Sequence, residues 1–366
     1  MVTEKKIKYL TIEGFQSIKH LEKLELHSLN ILIGANGAGK SNFVSYFRML
    51  GEMAEQRLQV WVRQQGGSDR LLTYGIKETS QISSFIEFGD NGYKFILKPT
   101  VDGSFTFSEE KSYFDGNSGN IWRPLGSGHL EATLKSWSDK SRYSIERYCY
   151  DAISSWKVFH FHDTSDTAKV KRKGALQDNK YLRSDAENLA AYLYMLRNRH
   201  PDVYSQIRKV IQLAIPFFDD FILEPEEIRP DEYLIQLMWQ QENSDYALLP
   251  SQLSDGSIRF ICLATALLQP DPPSTIIIDE PELGLHPYAI TLLGSLMRSA
   301  SQKMQLIVST QSVPLLDEFS IDDLIIVERE NDVSTFKRLD EQEFSLWLEE
   351  YTVGELWEKN ILGGRP

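Results

Sequence analysis

The run Gly34-Ala35-Asn36-Gly37-Ala38-Gly39-Lys40-Ser41 constrains this chain more than any other stretch. It follows an apolar, strand-like segment at 30–33 and leads into SNFVSYFRML, where apolar residues recur at helical spacing. Strand, glycine-rich turn and helix in that order make a pocket for phosphate. Glycines let successive backbone N–H groups converge on phosphate oxygens, and the helix N-terminus adds partial positive charge. Lys40 neutralises the outer phosphates and Ser41 can ligate magnesium, and Gly34 through Asn42 are expected to bind ATP. The ligands expected here are ATP and Mg2+.

A second group of residues completes this chemistry far downstream. Ser274-Thr275-Ile276-Ile277-Ile278-Asp279-Glu280 reads as a buried strand ending in two carboxylates. In such a Walker B strand Asp279 holds the magnesium directly or through water, and Glu280 polarises the attacking water. About twenty residues earlier lies Leu253-Ser254-Asp255-Gly256-Ser257-Ile258-Arg259. A serine and a glycine opening a helix form an anion site, so Ser254 and the N–H groups near Gly256 can meet a γ-phosphate. After the carboxylates come Pro281-Glu282-Leu283-Gly284-Leu285-His286-Pro287 and a strand ending Ser309-Thr310-Gln311-Ser312. The Gln311 amide can donate a hydrogen bond to the γ-phosphate. His286 reads either as a turn residue ahead of Pro287 or as a catalytic group.

Elsewhere the periodicities place short strands at 6–13, 22–26 and 30–33, antiparallel hairpins at 82–108 around Asp90-Asn91-Gly92, and an irregular loop at 109–128. Helical spacing recurs at 129–155 and 186–213, with Pro201 starting a second helix. FDDFILEP and EYLIQLMW read as strands. A helix from 256, the strand STIIID, a helix after Pro287 and the strand QLIVS then alternate, which implies a mostly parallel, covered sheet.

The motifs EGFQSI, GANGAGKSNF, LSDGSIRF, IIIDEPELGLHPYAI and STQSVPLLD, with the ending GELWEKNILGGRP, resemble the SMC/RecF/OLD-like branch of ABC-class P-loop ATPases, specifically its stand-alone bacterial "predicted ATPase" proteins. LSDGS stands in the place of the ABC signature, PELGLHP in that of the D-loop, and Gln311 where transporters carry histidine. The resemblance implies an α/β fold: a P-loop NTPase head of ABC type with an antiparallel β lobe and an inserted helical lobe. One head would span 1–366, with N-terminal strands and phosphate loop at 1–50, a variable β/helical insertion at 51–185 and a helical lobe with strands at 186–245. Signature, Walker B, switch strand and C-terminal helices would occupy 246–366. It also implies catalytic roles for Glu280 and Gln311 and homodimerisation, or higher assembly, through ATP. The expected partners are DNA or a separately encoded nuclease or toxin effector, in DNA metabolism or anti-phage defence. Absence of heptads leaves no room for the coiled-coil arms of chromosome-organising relatives. Two other classes share these motifs: the energising ATPase of a membrane transporter and a non-hydrolysing ATP-binding scaffold. Against the first stand Gln311, GKSN and the long stretch before the signature; against the second stands Glu280.

The ABC glutamine loop falls within 158–179, with Gln177 and the cluster His160-His162-Asp163 as candidates. On a strand both histidines share a face, suited either to a metal or to ordinary packing. Lys169, Lys171, Arg172 and Lys173 are the clearest basic cluster in a chain of net charge -13, readable as a solvated loop or as a contact for nucleic acid or an acidic partner. The two cysteines, Cys149 and Cys262, suggest neither disulfide nor metal. The N-terminus carries charges where a signal peptide needs an apolar block, so a cytoplasmic protein without membrane insertion is expected. Residues 324–332 resemble the first strand of a TOPRIM nuclease domain, but no Asp-x-Asp pair follows, so DNA cutting would fall to another protein.

Overall fold

The computed structural model describes residues 5–116, 119–141, 144–165 and 167–364. The chain forms two compact units: Met1–Val158 with Pro273–Ile277 and Ser301–Pro366, and Phe159–Pro272 with Ile278–Ala300.

In the first unit β1 (Tyr9–Phe15) and β2 (Ile18–Glu25) form a hairpin, and β3 (Leu29–Ile33) leads into α1 (Lys40–Ala54), followed by α2 (Leu58–Gln64) and α3 (Ser68–Leu71). Next come β4 (Ile82–Phe88), β5 (Asn91–Pro99), β6 (Phe105–Gly116) and β7 (Gly119–Gly126). These four join β1 and β2 in a six-stranded antiparallel sheet ordered β2-β1-β4-β5-β6-β7. Strict alternation in β4 buries Ile82, Ser84, Ile86 and Phe88, as a half-covered sheet requires.

The loop expected at 109–128 is instead the hairpin of β6 and β7. Tyr113 pairs with Trp122, their ring centroids 4.6 Å apart, and Phe85 lies 5.3 Å from Trp122. Cross-strand aromatic pairs of this kind stabilise a ladder that glycine, serine and asparagine alone would not announce. β7 is an edge strand exposed along nearly its whole length, which accounts for its loop-like composition. The helical stretch 129–155 is likewise divided, into α4 (Leu134–Ser138) and α5 (Ile145–Ser155); Ser144 Oγ caps the latter by accepting from Arg147 N at 3.1 Å. β8 (Lys157–Phe159) follows.

The second unit contains β9 (Gly174–Ala175), α6 (Leu189–Arg199), α7 (Pro201–Ala214), β10 (Phe218–Ile222), β11 (Glu226–Arg229), β12 (Glu232–Ile235), β13 (Met238–Gln241) and α8 (Asp255–Leu268). Pro201 sits in the first turn of α7, as expected. EYLIQLMW is split: β12 pairs with β11 and β9, whereas β13 pairs with β10.

β14 (Thr275–Asp279), α9 (Pro287–Ser301), β15 (Gln305–Thr310), α10 (Val313–Leu316), β16 (Leu324–Glu330), β17 (Val333–Arg338), α11 (Ser345–Leu348) and α12 (Val353–Glu358) complete the described elements. The second large sheet has the order β17-β16-β3-β15-β14-β8, and the division between the units falls inside β14 and β8. β3 runs parallel to both β15 and β16. Every residue of β3 and β15 is buried, the pattern of strands covered on both faces. The stretch resembling a TOPRIM strand is β16, which turns back antiparallel into β17 through Asn331 and Asp332, both at positive φ.

The core of the first unit gathers Phe15, Phe43, Phe47, Trp156, Ile277 and Ile307. Gln305, fully buried, stitches the strand starts together. Its Nε2 donates to the carbonyls of Ile7 and His27, and its Oε1 accepts from Ile7 N and Thr275 Oγ1. A buried amide is tolerated there because all its bonds are made.

Candidate nucleotide site

β3 ends at Ile33 and the chain turns at once. A Cβ on Gly34 would lie 2.0 Å from the Val327 carbonyl oxygen of β16. At Gly39, with φ +117°, a Cβ would lie 2.0 Å from Ser334 Oγ and 2.9 Å from Ser17 Oγ. Neither position admits a side chain, so the loop's backbone packs directly on its neighbours. α1 begins at Lys40, whose side chain is buried, and Nζ donates to the carbonyl oxygens of Gly34 at 2.6 Å and Ala35 at 3.1 Å. The ammonium is thus held against the loop it serves. Ser41, in the first turn, is exposed.

A directional chain of hydrogen bonds supports the loop from behind. Ser334 Oγ donates to the Ala38 carbonyl at 2.6 Å, which leaves it to accept from Ser17 Oγ, also at 2.6 Å. Ser17 Oγ in turn accepts from Asn42 Nδ2 at 2.6 Å. Asn42, expected to face nucleotide, therefore spends its amide on this scaffold. On the open side Gln311 Nε2 donates to Asn36 Oδ1 at 2.6 Å. A cavity of about 410 Å3 lies between residues 35–38 of the loop and 327–330, with Gly364 on its wall.

The second unit holds the remaining expected residues. Ser254 is the exposed N-cap of α8, and its Oγ accepts from Ser257 N at 3.1 Å. A Cβ on Gly256 would lie 2.1 Å from the Gly284 carbonyl oxygen, so the turn after the carboxylates presses on the start of α8. Arg259, buried, fastens the same parts: Nε donates to the Phe161 carbonyl at 2.9 Å, one terminal nitrogen to the Leu283 carbonyl, the other to the His162 carbonyl at 3.3 Å. Burial lowers the pKa of its guanidinium below the ordinary value. Asp279 ends β14. Glu280 has φ 43°, the left-handed region that a glutamate enters only at a cost. Both carboxylate residues, with Phe161, His162 and Arg259, line a narrow crevice.

Residues 29–318 match the family described as "AAA domain, putative AbiEii toxin, Type IV TA system". The chain belongs to this family. No protein of curated function matches it. Its fold is similar to that of an Smc head crystallised with the C-winged helix domain of ScpA, with a TM-score of 0.60 and 14% identity over 93% of this chain and 99% of that one. It is also similar to the Smc head with an extended coiled coil bound to the C-terminal domain of ScpA from Pyrococcus furiosus, with a TM-score of 0.58 and 14% identity over 94% of this chain and 98% of that one. The fold is that of the Smc head domains, within a family described as an AAA domain.

The other residues singled out in the sequence take the following places. β8 stops at Phe159, so His160 and His162 do not share a strand face, and their ring centroids lie 6.4 Å apart. Asp163 accepts from the backbone and hydroxyl of Ser165. Among the described residues no group of three or more His, Cys, Asp or Glu converges on a metal-sized site. Gln177 Nε2 donates to the Asp231 carbonyl at 3.3 Å within its own unit. Three of the four clustered basic residues meet carboxylates: Lys169 those of Asp185 and Glu187, Lys171 that of Asp255, and Lys173 that of Glu226. His286 Nδ1 accepts from Tyr288 N at 3.3 Å, a turn-closing bond. Both cysteines are buried free thiols; burial pushes Cys262 up to about 12 and Cys149 further. No described helix is long and apolar enough to cross a membrane.

Ser17 and Ser334 were not legible as site residues. The EGFQSI turn points to Ser17 only in part, and Ser334 lies in an ordinary-looking hairpin strand. Arg259 had a signal in LSDGSIR, an arginine one helical turn into an otherwise apolar helix.

Proposed function

We propose that this chain is an ATP-hydrolysing switch whose active site is completed by a second copy, and whose closure acts on DNA or on a partner effector. The observation that carries this reading is the built phosphate loop. Gly34 and Gly39 leave no room for a Cβ, and the Lys40 ammonium is held at the loop's own carbonyls. Such a cradle offers backbone N–H groups and one fixed cation to a triphosphate.

The donor chemistry of two residues suits magnesium. Ser41 supplies a hydroxyl and Asp279 a carboxylate, both hard oxygen ligands, and Mg2+ is commonly held by one or two protein oxygens with water and phosphate completing the shell. When bound, the ion would offset charge on the outer phosphates. Lys40 binds the outer phosphates, Gln311 presents an amide beside Asn36, and Glu280 accepts a proton from the attacking water. The strained backbone of Glu280 supports that role, because strain of this kind is retained where a side chain must be aimed. Ser254 and the start of α8 offer an anion site to the nucleotide of the facing copy.

The family description, with its reference to a toxin–antitoxin system, supports a setting in defence, and the Smc heads solved with bound ScpA domains support a reading in which this chain also engages a partner. The test is ATP turnover by purified protein with magnesium and with the ion chelated. Wild type should turn over ATP only with magnesium; Lys40→Ala should lose nucleotide binding, and Asp279→Ala should bind ATP but lose turnover. Unchanged ATP affinity in Lys40→Ala would overturn the assignment.

A further inference from the structure

Residues 353–364 touch both the phosphate loop and the element that follows Gln311, all within the first unit. α12 opens with a reciprocal cap: Thr352 Oγ1 accepts from Glu355 N at 3.3 Å, and Glu355 Oε2 accepts from Thr352 N at 2.9 Å. Gly354 N then donates to Asp317 Oδ1 at 2.7 Å. A Cβ on Gly354 would lie 2.7 Å from Val313 Cγ1 and 2.9 Å from the Val313 carbonyl oxygen, so α12 is seated directly on α10. α10 starts two residues after Gln311.

Beyond α12 the chain bends back through Asn360, Gly363 and Gly364, all at positive φ. Trp357, 2% exposed, donates through Nε1 to the Gly364 carbonyl at 2.9 Å. Gly364 N donates to Glu328 Oε1 at 2.7 Å. A Cβ on Gly364 would lie 3.5 Å from both Gly34 Cα and the Ile33 carbonyl oxygen. Gly364 therefore lies against the peptide at which β3 becomes the phosphate loop, pinned there by an indole on one side and a carboxylate on the other.

We propose that residues 353–364 form a clasp that sets the phosphate loop and the Gln311 switch relative to each other, with Glu328 and Trp357 as positioning residues for ATP binding and hydrolysis. The role in hydrolysis rests on the function proposed above; the clasp itself does not. A loop whose N–H groups are already aimed loses less on binding an anion than one that must be ordered first. Glu328 is a poor direct ligand for a triphosphate because both are anionic. Its contribution is the bond it accepts, and an amide oxygen can accept the same bond.

The test compares Glu328→Ala, Glu328→Gln and Trp357→Phe. In nucleotide-free protein, hydrogen exchange of the amides at 34–41 should speed up by about tenfold in Glu328→Ala and Trp357→Phe, while amides of β5 and β6 keep their wild-type rates. Glu328→Gln should stay near wild type. The dissociation constant for a fluorescent ATP analogue should rise by about tenfold in Glu328→Ala, as expected when a preorganised loop is loosened. Unchanged exchange at 34–41 in Glu328→Ala, whose side chain is only partly buried and whose loss the fold should tolerate, would overturn the clasp. So would a Glu328→Gln variant as impaired as Glu328→Ala. A wild-type protein that neither binds nor hydrolyses ATP would instead overturn the proposed function, with the exchange comparison still deciding the clasp.

Discussion

Gln311 donates to Asn36 at 2.6 Å, joining the end of the switch strand to the tip of the phosphate loop across 275 positions of sequence. The bond assigns the Gln311 amide a direction, with Nε2 toward the loop, where an outer phosphate would meet it. Asn36→Ala and Gln311→Ala should each slow turnover, by about ten- to a hundredfold if the amide stabilises charge that develops in the transition state. The double variant should be no slower than the slower single one, because both break one unit. Losses that multiply in the double variant would show that the two act separately.

The chain from Asn42 through Ser17 and Ser334 to Ala38 leads to a second expectation. Ser334→Ala would leave the buried Ala38 carbonyl and the Ser17 hydroxyl without their shared partner. A loss of about 1–3 kcal/mol follows from orphaning buried polar groups, read as a lower denaturant midpoint. The apparent affinity for ATP should fall as well, since Gly39 packs on the same hydroxyls. Wild-type stability and affinity in Ser334→Ala would show that the chain is incidental.

The sequence showed this site unevenly, and the reasons are physical. β3, the glycine turn and α1 are contiguous, so spacing alone placed Gly34 to Ser41. Asp279 was equally visible because it follows the apolar run Ile276–Ile278 of β14. Ser17 and Ser334, by contrast, lie 317 positions apart, and two hydroxyls carry no pattern that pairs them. The backbone angle of Glu280 also left no trace, since any residue type can precede Pro281. β7 was misread because an edge strand open to solvent has the composition of a loop, and only its partner Tyr113 reveals Trp122 as a sheet residue.

His27 should give the fold a pH dependence away from the nucleotide site. Partial desolvation, and next the Arg338 guanidinium, hold the imidazole of this exposed residue below the ordinary value, with Glu25, Asp323 and Asp322 opposing. Lys6 and Lys8 line the same cavity of about 650 Å3. A base whose folded pKa is depressed binds fewer protons folded than unfolded. Its stabilising contribution is therefore full above the unfolded value of about 6.5 and declines as pH falls through the folded value. The melting temperature of wild type should drop between about pH 8 and about pH 5, and His27→Gln should show a shallower drop. Parallel profiles for the two proteins would remove His27 from the account.

The two-copy site is tested most directly through Glu280 and Ser254. With Glu280→Gln the side chain no longer accepts a proton, while the residues proposed to hold ATP and magnesium remain, so the nucleotide-bound state should accumulate as a closed dimer. Light scattering of this variant with and without ATP measures the shift. Ser254 is an exposed cap, so Ser254→Arg should cost about 1 kcal/mol of helix stability and leave the fold intact. Its ATP binding should persist, because the phosphate loop of the same chain is untouched, but closure and turnover should be lost if its signature serves the facing copy. Mixing Ser254→Arg with Lys40→Ala chains then rebuilds one whole site: the first supplies an intact phosphate loop, the second an intact signature. Turnover recovered in the mixture, with neither variant active alone, would establish the shared site. Full turnover by Ser254→Arg at concentrations where only monomer exists would overturn it, and the ATPase would then be complete within one chain.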